Sequence, residues 1–289
     1  MKNRSGGIYP YLLVLPALLL ILAVTLYPSI YSIYLSLTRI RGGVSEFVGL
    51  DNFNRILSSP SFYESLQVTL IFTFFYVLLT VTVAYGIALM LNSGLKLTGV
   101  YMTIIFLPWI LSEITTGVVW RWMFYPKEGI IQNLIAPLFN NVALITRPAG
   151  ALTIVIAATV WRSISFAMLL LLAGLQTIPH EINEAAEIDG ADGLSLFRYI
   201  TWPLMLPTTV VTAVFILIQG INGVGMILSI TEGGPGRATE VLGIMMYRQA
   251  MQYFNFGFAA AISVILLIIN LILAAFYLRA LRRESVLAA

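Results

Sequence analysis

Apolar residues in this chain run in long blocks separated by short polar stretches. No charged side chain stands between Arg4 and Arg39, and none from Ser65 to Leu95. A hydrocarbon core about 30 Å thick takes about 20 apolar residues of helix, and both blocks exceed that. The pattern predicts six spans, at about 11–35, 67–91, 100–120, 152–175, 204–227 and 258–278. Lipid offers the backbone no hydrogen bonds, so spans of this length are expected to be helices. The alternating segments of about 10 residues that mark a membrane β-barrel do not occur. The expected fold is therefore all-α and polytopic, with six transmembrane helices in a single membrane domain over residues 1–289.

Composition agrees with the pattern. Only 10% of the 289 residues are charged and 59% are hydrophobic, against about 25% charged in soluble domains; mean hydropathy is +0.92. The net charge of +3 comes with no basic run long enough to grip a phosphate backbone, so no nucleic-acid partner is expected. With no cysteine, disulfides, thiolate metal sites and a cysteine nucleophile are excluded. One histidine, His180, cannot build a zinc site, and no metal site is expected. Lys2 and Arg4 precede an apolar run too long for a signal peptide's 7–15 residues or so, which reads as an uncleaved first helix. Lysines and arginines divide almost evenly between the two sides, so the positive-inside rule does not orient the chain. The clusters Lys2–Arg4 and Arg279, Arg282, Arg283 favour termini in the cytoplasm.

The segment 179–202 carries the most information. Pro179 suits a helix start. Glu181, Glu184 and Glu187 follow, with Glu181 near the positive helix end, and Ala185 and Ala186 are strong helix formers. Gly190 can take the left-handed conformation that ends a helix, and Asp192 can cap a second one. Local physics thus predicts two short helices joined by a sharp turn, with an acidic, small-residue face suited to a groove in another protein.

These residues stand in a familiar register. Glu184-Ala185-Ala186, then Gly190, Ile200 and Pro203 resemble the EAA loop of ABC importer permeases, whose pattern is E-A-A, three residues, G, nine residues, I-x-L-P. Trp202 departs from it where leucine is usual. Tyr27-Pro28-Ser29-Ile30-Tyr31-Ser32, Phe47-Val48-Gly49-Leu50-Asp51-Asn52-Phe53 and Thr231-Glu232-Gly233-Gly234-Pro235 are similar to the maltose-type sugar permeases, as is the stretch 253–263. The resemblance covers nearly the whole chain. It implies the type I ABC importer permease fold, in a bacterial or archaeal inner membrane, with both termini and the coupling loop in the cytoplasm. It implies that Glu184, Ala185, Ala186, Asp189, Gly190 and Ala191 dock on an ATPase subunit. The implied partners are a second permease subunit, two ATP-binding subunits, an extracytoplasmic solute-binding protein and a sugar. No cofactor is expected in this chain; ATP and Mg would be held by the partner ATPase. The absence of G-x-x-x-x-G-K-[ST] fits a transport subunit that is not itself an enzyme.

Polar residues inside the spans are costly and call for partners. Arg162, with Ser163 and Ser165 nearby, reads either as lining of a transport path or as an interhelical bonding residue. Glu113 is a partner for Arg162 or Arg121, or sits near a membrane surface. Gln219, Gly220, Asn222, Gly223 and Gly225 form a polar, small cluster: either close helix packing or a sugar site. The family resemblance implies the latter for Gln219 and Gly223 too, but most directly for Asn222 and its immediate neighbours. A secondary transporter driven by an ion gradient is the competing reading. It needs intramembrane carboxylates, of which only Glu113 qualifies. An intramembrane enzyme would need a paired catalytic constellation, and none is present.

Overall fold

The computed structural model describes residues 9–41, 44–140 and 142–287; Lys2, Arg4 and the Gly42-Gly43 pair lie outside them. Contacts divide the chain into two compact units, Met1–Ser59 with Met246–Ile265, and Pro60–Met245 with Leu266–Ala289.

In the first unit, helix α1 (Tyr9–Ile21) continues through a π-helical turn, Leu22–Leu26, into α2 (Tyr27–Ser36). The stretch Leu12–Ser36 is apolar throughout and buries none of its most apolar window, as expected of a helix whose solvent is lipid. Strands β1 (Thr38–Arg41) and β2 (Val44–Phe47) pair antiparallel, Thr38 opposite Phe47, and α3 (Asp51–Leu57) follows. The motif Phe47–Phe53 acquires a physical meaning here. Gly49 turns the chain at φ +56°. Asp51 pairs with Arg39. Asn52 is buried, and its amide donates to the carbonyls of Ser36 and Thr38 at 2.8 Å each. Gly257 lies against the same carbonyl: a Cβ there would come within 2.0 Å of the Thr38 oxygen. Gly257→Ala is therefore expected to displace the Asn52 clamp and to lower stability by about 1–3 kcal/mol, read as a lower midpoint of thermal unfolding in detergent.

The second unit is built on α4 (Pro60–Asn92), α5 (Thr98–Ile110), α6 (Glu113–Met123), α7 (Ile130–Ile135) and α8 (Pro148–Leu175). After α8 come α9 (His180–Ile188), α10 (Gly193–Leu196), α11 (Trp202–Asn222), α12 (Gly225–Ile230) and α13 (Leu242–Met251), and α14 (Phe256–Leu287) ends the described chain. The core lies along the α4–α8 seam, with α11 packed on both and α5 on α8. Ala84, Ala88, Ala151, Ala158 and Ala167 are fully or almost fully buried there. Small side chains let membrane helices approach closely, where van der Waals packing replaces the hydrophobic drive. Phe72, Tyr76, Ile154, Met168 and Leu171 fill the remaining space.

Among the described residues, five helices are long and apolar enough to span a bilayer, and a bent pair makes a sixth span. That pair, α5 and α6, occupies the third predicted segment, but it is not one straight helix: its halves meet at 93°. Pro108 removes a backbone donor in the last turn of α5, and Leu111 and Ser112 are extended (ψ 140° and 143°). Glu113 then opens α6, where a carboxylate is favoured by the helix dipole. The fifth segment also differs from the expected 204–227. Helix α11 ends at Asn222, Gly223 breaks it (φ −77°, ψ 93°), and α12 follows as a separate short helix packed on α6. At that crossing a Cβ on Gly117 would meet the Ser229 Cβ at 2.5 Å.

Candidate functional site: a polar knot in the spans and an exposed elbow

All of the sequence-derived site residues fall in the second unit, in two places. The first is a polar knot where α4, α6, α8 and α11 converge. Arg162 stands about halfway along α8. Its Nε donates to the Leu111 carbonyl at 3.2 Å, one of the backbone groups left open by the break between α5 and α6. Its Nη1 lies 3.6 Å from Glu113 Oε1, an ion pair without hydrogen-bond distance. Its guanidinium covers the Trp109 ring at 4.8 Å from the centroid, within cation–π range. Trp109 stacks on Phe166 at 4.9 Å, and Phe166 meets Phe215 at 4.9 Å. Arg162 thus ties α8 to both halves of the broken span. Arg121, the other partner considered for Glu113, bonds Glu232 instead, at 2.9 Å.

Ser163 and Ser165 also bond between helices. The Tyr76 hydroxyl of α4 donates to Ser163 Oγ at 2.7 Å, and Ser165 Oγ donates to the Ile105 carbonyl of α5 at 2.5 Å. Gln219 and Gly223 border a small cavity with Tyr76, Glu113, Arg162 and Ser163. Its volume, about 20 Å³, leaves room for one water and too little for a sugar. Gly220 makes the crossing possible, since a Cβ there would come within 2.7 Å of the Tyr76 ring. Gly220→Ala is expected to push Tyr76 off Ser163 at a cost of about 1–3 kcal/mol, measurable as a lower unfolding midpoint, with Gly220→Leu worse.

Asn222 lies away from this cavity, exposed at the end of α11. It forms a reciprocal amide pair with Asn270 of α14, both bonds 3.0 Å, and donates to the Ile218 carbonyl at 2.7 Å. Asn270 and Tyr76 were not singled out from sequence. An asparagine inside the apolar run of α14 was a visible signal. For Tyr76 there was none, because a tyrosine in a span looks like packing.

The second place is the elbow between α8 and α11. Helix α9 ends at Ile188, Gly190 takes φ +87°, and the Ala191 N–H bonds back to the Ala186 carbonyl at 2.9 Å. This long-range closure is the Schellman stop. Asp192 then caps α10. Its carboxylate accepts from the Ser195 N–H at 3.0 Å and from the Ser195 hydroxyl at 2.8 Å, while its own N–H donates to Ser195 Oγ at 2.7 Å. These bonds hold the Asp192 carboxyl below the usual carboxylate range. The cap is complete at neutral pH and is lost only as pH falls through that lowered value. Glu184, Ala185, Asp189 and Gly190 are exposed, Ala191 is half-buried and Ala186 is buried. Ile188, Leu194 and Tyr199 expose 86%, 76% and 72% of their surface.

A family described as binding-protein-dependent transport system inner membrane component matches residues 80–285. The chain belongs to that family. Among this inner membrane component's relatives is the sn-glycerol-3-phosphate transport system permease protein UgpA of Agrobacterium fabrum. It is 37% identical over 284 residues, covering 94% of each chain. The trehalose/maltose transport system permease protein MalF of Thermococcus litoralis is 34% identical over 285 residues, 96% of this chain and 95% of that one. The fold of this family member is shared with a bacterial alginate ABC transporter solved with an alginate pentasaccharide-bound periplasmic protein. There the TM-score is 0.82 at 21% identity, covering 98% of each chain. Like its relatives, the chain is a multi-pass membrane permease of the ABC importer class.

Proposed function

We propose that this permease imports a sugar or oligosaccharide, driven by ATP hydrolysed with Mg in two partner ATPase subunits. A second permease subunit completes the path, and an extracytoplasmic solute-binding protein delivers the substrate. The elbow and both termini face the cytoplasm, and the subunit itself performs no catalysis. The observation that supports this reading is the elbow: a stopped, capped pair of short helices, acidic at Glu184, with Ile188, Leu194 and Tyr199 largely exposed. Exposed apolar groups of this kind mark interaction surfaces. Sugar-linked relatives support the substrate class, and the solved alginate transporter supports a binding-protein partner.

Movement needs an energy source that distinguishes two states. ATP held between the partner subunits supplies it, and the elbow receives the displacement as a rigid body. The cavity in the knot has room for one water, so with the helices as they stand it is not a sugar site. The test is co-purification with the neighbouring subunits, then ATPase and uptake in proteoliposomes across a panel of mono- and oligosaccharides with the binding protein present. A sugar that stimulates both activities is expected. Uptake that survives ATP depletion but stops with an uncoupler would instead identify an ion-driven carrier.

A further inference from the structure

The elbow joins the spans through an aromatic contact. Phe197, Trp202 and Tyr85 of α4 meet pairwise, with ring centroids 5.8 Å apart for Tyr85–Phe197, 5.7 Å for Tyr85–Trp202 and 6.2 Å for Phe197–Trp202. These separations fall in the favourable range for aromatic pairs. Beside the contact lies open space, a cleft of about 360 Å³ reaching from Asn92 and Ser93 to Asn183, Gly193 and Leu196. The elbow is therefore held at the aromatic cluster and has room to swing next to it.

The backbone at the same place is built to yield. Residues Phe197–Thr201 form a π-helical turn, closed by the Trp202 N–H on the Phe197 carbonyl. Pro203 follows and Pro207 sits inside α11, so two backbone donors are missing just beyond the turn. π-Helical turns and prolines are recurrent sites of bending. The Tyr85 hydroxyl is buried, and among the described residues it has no hydrogen-bond partner. A buried hydroxyl left unpaired is unfavourable, so here the ring packing of Tyr85 and not its hydroxyl holds the knuckle together.

We infer that Tyr85, Phe197 and Trp202 form a knuckle that passes the elbow's displacement into α4, and that in this chain the Trp202 ring, in contact with both partners, sets how tightly the two are joined. The inference rests on the coupling role proposed for the elbow. Trp202 is a positioning residue: it acts through its ring contacts with Tyr85 and Phe197. Replacing it with leucine keeps an apolar side chain at the membrane edge and removes two of the three ring contacts. The elbow then moves without carrying α4 fully, and ATP is spent with less transport.

The test uses the whole transporter complex in proteoliposomes and reads ATP hydrolysed per sugar imported. Trp202→Leu is expected to raise that ratio roughly fivefold, the size set by losing two aromatic pairs, and Trp202→Phe to restore it. If Trp202→Leu does not assemble, Phe197→Leu, which removes two contacts from the elbow side, is read in the same assay. A wild-type ratio in the leucine variant that assembles, or a phenylalanine at 202 no better than leucine, overturns the knuckle. Glu184→Lys runs alongside. If it abolishes uptake while the leucine variants keep the wild-type ratio, the knuckle fails and the elbow's role stands; if it transports normally, the elbow's role fails first.

Discussion

Glu184→Lys is expected to abolish ATP-coupled uptake while the protein still inserts and folds. The side chain is exposed on α9, within a helix held by backbone bonds and ended by Gly190, so among the described residues the reversal breaks no ion pair. Its effect lies at the docking surface. On the docking role proposed for the elbow, Glu184 would face a basic side chain of the ATPase subunit, and reversing its charge would weaken association roughly hundredfold or more. The readouts are uptake, membrane abundance and retention of the ATPase subunits during purification. Normal abundance with lost uptake and weakened retention is the expected set; normal uptake would remove the elbow from the coupling route.

Arg162→Ala carries the largest expected loss of stability. It strands the Glu113 carboxylate and frees the Leu111 carbonyl at the bend of the third span. Breaking a fully buried ion pair by removing one partner costs about 3–5 kcal/mol; this pair is partly exposed and 3.6 Å apart, so screening brings the cost to about 2–3 kcal/mol, the lost Leu111 bond and Trp109 contact included. Glu113→Ala together with Arg162→Ala is expected to be less damaging than the two single losses added, because the double change leaves no stranded carboxylate; the shortfall measures their coupling. Unfolding midpoints of the four proteins in detergent close the cycle. Strict additivity would mean that the pair contributes nothing and that Arg162 acts through Trp109 and Leu111 alone.

The same residues show which features could be read from sequence. Long apolar runs gave away the spans because hydrocarbon leaves the backbone only helix as a solution. The elbow was legible because each of its parts has a local cause: Gly190 for the left-handed stop, Asp192 for the cap. The bend of the third span was harder. Pro108 and Glu113 were both in plain view, yet apolar length outweighed them, and a proline inside a membrane helix is commonly tolerated. What turned it into a right-angled break is tertiary: the Arg162 guanidinium, 49 positions after Glu113 in the chain, holds the bend from α8. Choosing between a lining role and a bonding role for Arg162, Ser163 and Ser165 likewise needed partners on other helices. Their hydrogen bonds to Leu111, from Tyr76 and to Ile105 supply the bonding role directly. Asn222 required Asn270, and no spacing rule links two amides in spans five and six. Glu113, the carboxylate an ion-driven carrier would need, is committed to Arg162.

The narrowness of the void between Tyr76, Glu113, Arg162 and Gln219 bears on membrane energetics. A space for a single water cannot hold a continuous file of hydrogen-bonded waters, and protons travel readily only along such files. Within this one subunit the helices that line it leave protons no such file, so any leak would have to run outside this void.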